Sequence, residues 1–311
     1  MEKQKSVVAK TKINFLQRVF VGLNARGYLW LMPDDLCLRI LFRIHLHKTL
    51  DLEHPKTYPE KLQWLKLHDR KPFYPQMVDK FEAKKYVANK IGEEYIIPTY
   101  GVWDRFEEID FELLPAQFVL KCTHDSGSVV ICKDKTALDI KAVKARIEKS
   151  LKRNYFWLGR EWPYKNVKPR IMAEKYMEDE KLHDLQNDKD VWLTNYNFFC
   201  FNGKPMIMYI SQDKSQDVHT DFFDMQYRHL PIRMKDPNSQ VPPEKPETFE
   251  KMKELAAVLC EGHPHLRVDF YNSGRKIYFG ELTFYHFGGF ANVYPEEWNL
   301  RLGDWIATDR L

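Results

Sequence analysis

HLRVDFY (residues 265–271) and KIYFGELTF (276–284) are alternating polar and apolar runs, separated by the short stretch NSGR. Such alternation predicts two paired strands joined by a glycine-containing turn. An odd-length turn centred near Arg275 sets Asp269 opposite Glu281 on one face, with β-carbons about 5 Å apart. Two carboxylates that close repel and call for a cation between them. Hard oxygen donors in low number suit Mg²⁺, which keeps waters and takes its remaining ligands from nucleotide phosphates. Arg267 shares the face and offers a planar fork to a further phosphate oxygen. A strand with a merely solvated polar face would alternate too, but Arg-x-Asp paired with Glu-x-Thr favours the metal.

Upstream, residues 196–201 and 205–211 flank Asn202-Gly203, a dipeptide suited to a type I′ hairpin because both central positions need positive φ. A proline-rich connector, residues 236–247, then leads into a helix over 248–261. Further toward the N-terminus, FVLKC (118–122), the polar loop THDSGS and SVVICKD (128–134) read as two strands and a turn; RIMAEKYM (170–177) reads as another strand. Helices are expected near 137–155 and over 77–92. The latter has an apolar face of Val78, Phe81, Tyr86 and Val87 and a stop at Gly92. Before about Tyr74 the pattern is helical: Asp34 or Asp35 caps a segment bearing Leu36, Ile40, Leu41 and Ile44, and Tyr58-Pro59-Glu60 opens another. Two mixed regions with hairpins in each imply a cleft between them.

Lys121 ends an apolar strand immediately before His124-Asp125-Ser126-Gly127-Ser128, where small residues let backbone amides approach phosphate oxygens. The Walker pattern GxxxxGK[ST] is absent. Lys80 is a second candidate for a phosphate-facing charge.

In their order along the chain these elements resemble the ATP-grasp superfamily, with D-alanyl-D-alanine ligase the clearest local comparison. Lys80, then Lys121 with Ser126-Gly127-Ser128, then Glu174-Lys175-Tyr176-Met177, then Arg267-Val268-Asp269-Phe270 and Glu281-Leu282-Thr283 follow the superfamily's sequence of motifs. The segments IGEEYIIPTYGVWD, LPAQFVLKCTHDSGS, FNGKP and RVDFY with GELTF resemble more closely the TupA-like ATP-grasp family of teichuronopeptide and other bacterial surface-polysaccharide biosynthesis, over roughly residues 55–304. The resemblance implies an α+β ATP-grasp fold, two subdomains gripping ATP between antiparallel sheets behind a helical N-terminal extension. The divisions expected are 1–75, 76–175 and 176–311, the last two being the phosphate-loop and Mg²⁺-site subdomains.

It also implies ATP and Mg²⁺ as cofactors of a carboxylate-amine ligase. Adenine would lie against residues 174–177, Lys80 and Lys121 on the phosphates, Mg²⁺ on Asp269 and Glu281, and Arg267 beside an acyl phosphate. Lys214 adds an approximate further phosphate contact. Thr283 stands where many superfamily members place a metal-binding Asn, and its hydroxyl is a weaker ligand. Cys-Thr-His follows Lys121 where proline is common, making His124 either a phosphate contact or a structural histidine. The substrates implied are carboxylate- and amine-bearing, a glycan or an amino acid. A kinase acting on a glycan hydroxyl is the enzymatic alternative, with His263, His265 or His286 as base. A non-catalytic nucleotide-binding subunit of a glycan-assembly complex is another, and a glycosyltransferase using the Asp188–Asp190 DKD run is a third.

Composition narrows the classes. The 311 residues are 44% apolar, 14% aromatic and 30% charged, enough apolar side chain for a sizeable core. Some of these aromatics, Trp192, Trp298 and Trp305 among them, stack on sugar faces or fill the core. Apolar runs fall short of a membrane span. A polar, lysine-rich N-terminus lacks a secretory pattern, so a cytoplasmic protein is expected. Five scattered cysteines without CxxC spacing argue against a disulfide framework and a zinc site. Nucleic-acid binding is not expected, since no reading motif appears and charge outside the N-terminus is nearly balanced. Residues 1–50 hold nine Lys/Arg against three Asp/Glu, so they carry +6 of the net +4 and the remainder −2. Within them the basic, aromatic-containing stretch from Lys12 to Lys48 suits peripheral contact with anionic lipid, at the inner face of the cell membrane, or with a phosphate-bearing glycan carrier. The alternative is a helical segment packed on the body with a solvated cationic face.

Overall fold

A computed structural model describes residues 14–178, 194–214 and 217–308, with 212–214 and 217 described by main chain only. The DKD run, Trp192 and the first thirteen residues therefore lie outside the described residues, as does the Lys214 side chain.

The chain opens with helices α1 (Phe15–Ala25), α2 (Asp34–Leu46), α3 (Tyr58–His68), α4 (Tyr74–Val78) and α5 (Lys80–Ile91). Thr57 and Glu60 form a capping box at α3, as the Tyr58-Pro59-Glu60 start predicts. The single helix expected over 77–92 is two, broken at Asp79. Asp79 is extended there and its carboxylate accepts from the amides of Phe81 and Glu82, so it caps α5 instead of continuing α4. The expected apolar face is revised as well. Ala83, Lys84 and Val87 are the buried positions of α5, whereas Phe81 lies beneath the Lys85 and Arg170 cations.

Four antiparallel strands follow in the order β1 (Thr99–Trp103), β4 (Ile171–Lys175), β2 (Phe118–Cys122), β3 (Val130–Cys132). One face of this sheet buries Phe118, Leu120, Ile171 and Ala173 against Val143 and Ile147 of α6 (Ile140–Leu151), after which comes the short α7 (Phe156–Gly159). On the other face Val119 pairs with Glu174 and Lys121 with Met172, so Lys121 and Glu174 point the same way.

The second sheet has six antiparallel strands in the order β10 (Lys276–Thr283), β9 (His265–Ser273), β5 (Thr194–Phe201), β6 (Lys204–Lys214), β7 (Asp217–Asp224), β8 (His229–Leu230). Asn202 and Gly203 turn β5 into β6 with φ of 48° and 75°, the positive pair of a type I′ turn. Phe198, Val268 and Phe270 pack one face in the main core with Phe249, Met252 and Leu255 of α8 (Phe249–Leu259). The opposite face carries the row Glu281, Asp269, Asn197, Tyr209, Phe222 across five strands. Tyr58 of α3 closes one end of that face against Phe199, Phe201 and His265. No helix among the described residues is long and apolar enough to cross a membrane.

Candidate nucleotide and metal site

Asp269 and Glu281 do stand opposite one another, but by a different route from an odd-length turn. Only Gly274 and Arg275 lie between the paired Ser273 and Lys276, and the register shifts between Phe279 and Glu281. The bulge absorbs Gly280, whose absent β-carbon would meet the Asp269 carbonyl oxygen at 3.1 Å. Without that extra residue Glu281 would face away from Asp269.

Arg267 fills the space between the two carboxylates. Its Nε and Nη2 donate to Asp269 at 2.7 and 2.6 Å, and Nη2 also donates to Glu281 Oε1 at 2.7 Å. Nη1 donates to His286 Nδ1 at 2.6 Å, leaving the ring proton on Nε2. Burial and the Arg267 charge hold His286 far below its ordinary range, hence neutral. Burial pushes the Asp269 carboxyl up to about 7 against the pull of Arg267. Glu281, although burial works against its charge, is held below the usual carboxylate range by Arg267 and Lys80. Its side chain is 47% exposed, whereas that of Asp269 is 1% exposed. Thr283 Oγ1 donates to Glu281 Oε1 at 3.0 Å.

By donor chemistry these groups match Mg²⁺: two facing carboxylates and a hydroxyl, all oxygen. The space between the carboxylates where the cation was expected is, however, taken by the Arg267 guanidinium, so a cation there would have to displace those bonds or bind on the outward Glu281 oxygen. Among the described residues no cluster of three or more His, Cys, Asp or Glu could hold a metal ion, so a Mg²⁺ here would depend on waters and phosphates for most of its ligands.

Lys80 joins the loop, and Lys121 joins Glu174. Lys80 Nζ donates to the Asp125 carbonyl, its backbone amide donates to Thr123 at 2.9 Å, and its charge is felt by Glu281. Burial lowers the Lys80 pKa, with Glu281 opposing and Lys121 adding to the fall. Ser126 and Gly127 are exposed at the loop tip, and Gly127 adopts φ of 99° with open space where a side chain would be. Ser128 is committed elsewhere: it receives the Cys122 amide at 2.9 Å and donates to Asp125 at 2.6 Å. His124 is structural, its Nε2 lying 3.2 and 3.1 Å from the Ser150 and Arg153 carbonyls at the end of α6.

Glu174 is buried between two lysines, Lys121 and Lys84, the latter at 2.7 Å. It orients those cations, and despite burial its pKa falls under their pull. Lys175 is exposed, with Tyr176 and Met177 half-buried just past β4. Lys84 escaped the reading of the sequence although it lies one helical turn after Lys80, a spacing that puts both on one face. Tyr271, two residues beyond Asp269 and therefore on its face, was equally available from the alternation; it senses Glu281, Asp269 and Glu174 together. Lys66 and Glu161 had no local signal. Lys66 Nζ is fully buried and donates to Gln63 Oε1 and the Gly159 and Gly288 carbonyls at 2.8, 2.7 and 2.6 Å. Burial lowers it to about 8 and raises Glu161 to about 7.

A cavity of about 260 Å³ opens on the same sheet face, two strands from Asp269. Tyr209, Thr220, Phe222, Lys235, Asp236 and His286 are among its walls. His286 and Tyr209, whose ring lies 5.9 Å from the Arg267 guanidinium, make it continuous with the carboxylate cluster.

A lysine-bearing four-stranded sheet facing a six-stranded sheet that carries paired carboxylates is the arrangement of an ATP-grasp protein. The chain belongs to the TupA-like ATP-grasp family, whose model matches residues 60–307. No curated protein matches it significantly. Among solved structures it is distantly similar to D-alanine–D-alanine ligase from Bacillus anthracis complexed with ATP, at 13% identity, TM-score 0.38, over 72% of this chain and 55% of that one. The corresponding ligase from Helicobacter pylori gives 11%, 0.39, 80% and 69%. N5-carboxyaminoimidazole ribonucleotide synthetase from Thermus thermophilus gives 10%, 0.38, 68% and 46%. The chain thus spans little more than half of the first ligase's length.

Proposed function

We propose that this protein is an ATP-dependent carboxylate-amine ligase that acts through an acyl phosphate on a bacterial surface polysaccharide or its precursor. The observation that supports this reading is the cluster itself, Glu281 opposite Asp269 with Arg267 bonded to both, in a chain whose other sheet carries Lys121 on the face that bears Glu174. Lys80 and Lys121 neutralise nucleotide phosphates, with Ser126 and Gly127 offering amides at the loop tip. Residues 174–177 would border the adenine; Lys214, whose side chain lies outside the described residues, stands on the sequence alone as a further phosphate contact. Asp269 and Glu281, with Thr283, would hold Mg²⁺, which when bound withdraws charge from the phosphates.

A substrate carboxylate oxygen forms a bond to the γ-phosphorus as the bond to ADP breaks. Arg267, whose fork is taken by Asp269 and Glu281 and not left open for a phosphate oxygen, would stabilise the acyl phosphate through its charge and its one remaining Nη1 donor. An amine then attacks the carbonyl, phosphate leaves, and the amine's proton passes to solvent. The cavity beside His286 is the compartment for the acceptor.

A kinase would need a base to accept a hydroxyl proton, whereas an ionised carboxylate needs none. His286 Nδ1 is occupied by Arg267. His265 meets Tyr58 Oη at 3.0 Å and the Phe284 carbonyl at 2.8 Å, and His263 packs among Tyr74, Phe73 and Phe284. These commitments support the ligase over the kinase.

The test is phosphorus NMR with ATP, Mg²⁺ and pooled acceptors from surface-glycan synthesis, adding hydroxylamine as a trap. Hydroxamate should appear with ADP and phosphate and fall about 100-fold or more in Asp269→Asn and Glu281→Gln. A stable phosphoester without hydroxamate would mean a kinase. Normal turnover in both variants would remove the metal assignment.

A further inference from the structure

Helix α1 is inverted relative to a helix that packs through its apolar stripe. Its buried side chain is Asn24, which donates to the Trp157 carbonyl and accepts from Cys37 Sγ at 3.2 Å and Arg160 Nη2 at 3.1 Å. Polar bonds thus hold one side of the helix to the body. The other side, an arc of roughly 100° at 3.6 residues per turn, presents Phe15, Leu16, Val19 and Leu23, which are 77%, 75%, 42% and 38% exposed. Just beyond α1, Tyr28, Trp30 and Leu31 are 68%, 65% and 77% exposed. Seven large apolar side chains grouped in this way mark an interaction surface. Residues 3–33 contain six Lys/Arg and no Asp/Glu: Arg18 and Arg26 lie inside the patch, Lys3, Lys5, Lys10 and Lys12 precede the described residues, and of the acids that follow, Asp34 is paired with Arg70 and Arg160.

We propose that this face docks on an anionic lipid bilayer, with α1 lying in the interfacial plane. Phe15, Leu16, Val19, Leu23 and Leu31 enter the acyl boundary while Tyr28 and Trp30 sit at headgroup level, where amphipathic rings are favoured. The basic residues meet the negative surface potential. Charge selects this occupant. A second copy seated by a two-fold axis would bring two basic, acid-free stretches together, and like charges would repel.

The test is co-flotation of the full chain with vesicles of equal parts phosphatidylcholine and phosphatidylglycerol, against phosphatidylcholine alone. Binding should require the anionic lipid and weaken as salt rises and screens the surface. Leu16→Glu with Val19→Glu should lower the bound fraction about tenfold or more. Trp30→Ala with Leu31→Ala, outside the helix, should weaken it in the same direction, and unchanged melting curves would show that both variants fold. The proposal is overturned by failure to float with anionic vesicles, or by equal flotation on phosphatidylcholine alone. A concentration-dependent dimer that Leu16→Glu dissociates and that vesicles do not displace would assign the face to a second copy instead.

Discussion

Gly280 decides whether the two carboxylates see each other. A β-carbon there meets the Asp269 carbonyl oxygen at 3.1 Å and the Tyr271 ring at 3.2 Å, one of them backbone that cannot yield without moving β9. Gly280→Ala should therefore lower stability by about 1–2 kcal/mol, the usual size of an overpacking strain. Mg²⁺-dependent turnover should fall much further, because the bulge sets the Glu281 register. A melt combined with a Mg²⁺ titration of turnover separates the two effects, and unchanged Mg²⁺ dependence would mean that the bulge is incidental. At this scale the chemistry was legible where it followed a period. Alternation with period two puts Arg267 and Asp269 on one face of β9 and draws β10 beside it, whereas the pairing of Asp269 with Glu281 rests on the bulge at Gly280 and not on an odd-length turn. What Arg267 does there was not legible. Its bonds to both carboxylates and to His286 depend on the bulge and on the turn at residues 286–289, neither of which has a signature in residue spacing.

Among the elements, α5 is the one that carries Lys80, and Asp79 fixes its start. Besides capping the helix, its carboxylate accepts from Thr123 Oγ1 at 2.8 Å and from Arg170 Nη2 at 3.1 Å. One buried side chain thereby ties the start of α5, where Lys80 sits, to the end of β2 and the approach to β4. Asp79→Ala removes the cap and strands a buried partner, which should lower stability by about 3 kcal/mol. Since Lys80 moves with the helix end, ATP affinity should fall about tenfold, a loss of roughly 1.4 kcal/mol. Calorimetric titration with ATP checks this; unchanged affinity in a destabilised variant would confine Asp79 to the fold. Periodicity joined α4 to α5 because it registers apolar spacing and is blind to a carboxylate that turns back on its own amides. The hairpin at Asn202-Gly203 was legible for the opposite reason, since its instruction is wholly local. Lys84 and Glu174, 90 residues apart, form a pair that only the packed sheet reveals.

On the scale of the whole molecule the two sheets rest on unequal cores. The six-stranded sheet shares its core with α3, α4, α5 and α8, while the four-stranded sheet relies on a smaller cluster from Phe106 to Ala173, with the three-residue β3 at its edge. Amides of β2, β3 and β4 should therefore exchange faster than those of β5 and β9, because opening the smaller unit exposes less apolar surface. ATP with Mg²⁺ would touch both sheets, so it stabilises the weaker one whenever that unit must open for the nucleotide to leave. At about 100 times its dissociation constant a ligand adds roughly 2.7 kcal/mol, equivalent to about 100-fold slower exchange through the bound unit. Hydrogen exchange should accordingly show protection centred on β2, residues 123–129 and β4, and Lys121→Ala should remove most of it. Protection confined to β6, β7 and β8 would place the nucleotide in the cavity beside His286. The lysines of the four-stranded sheet would then have no part in holding it.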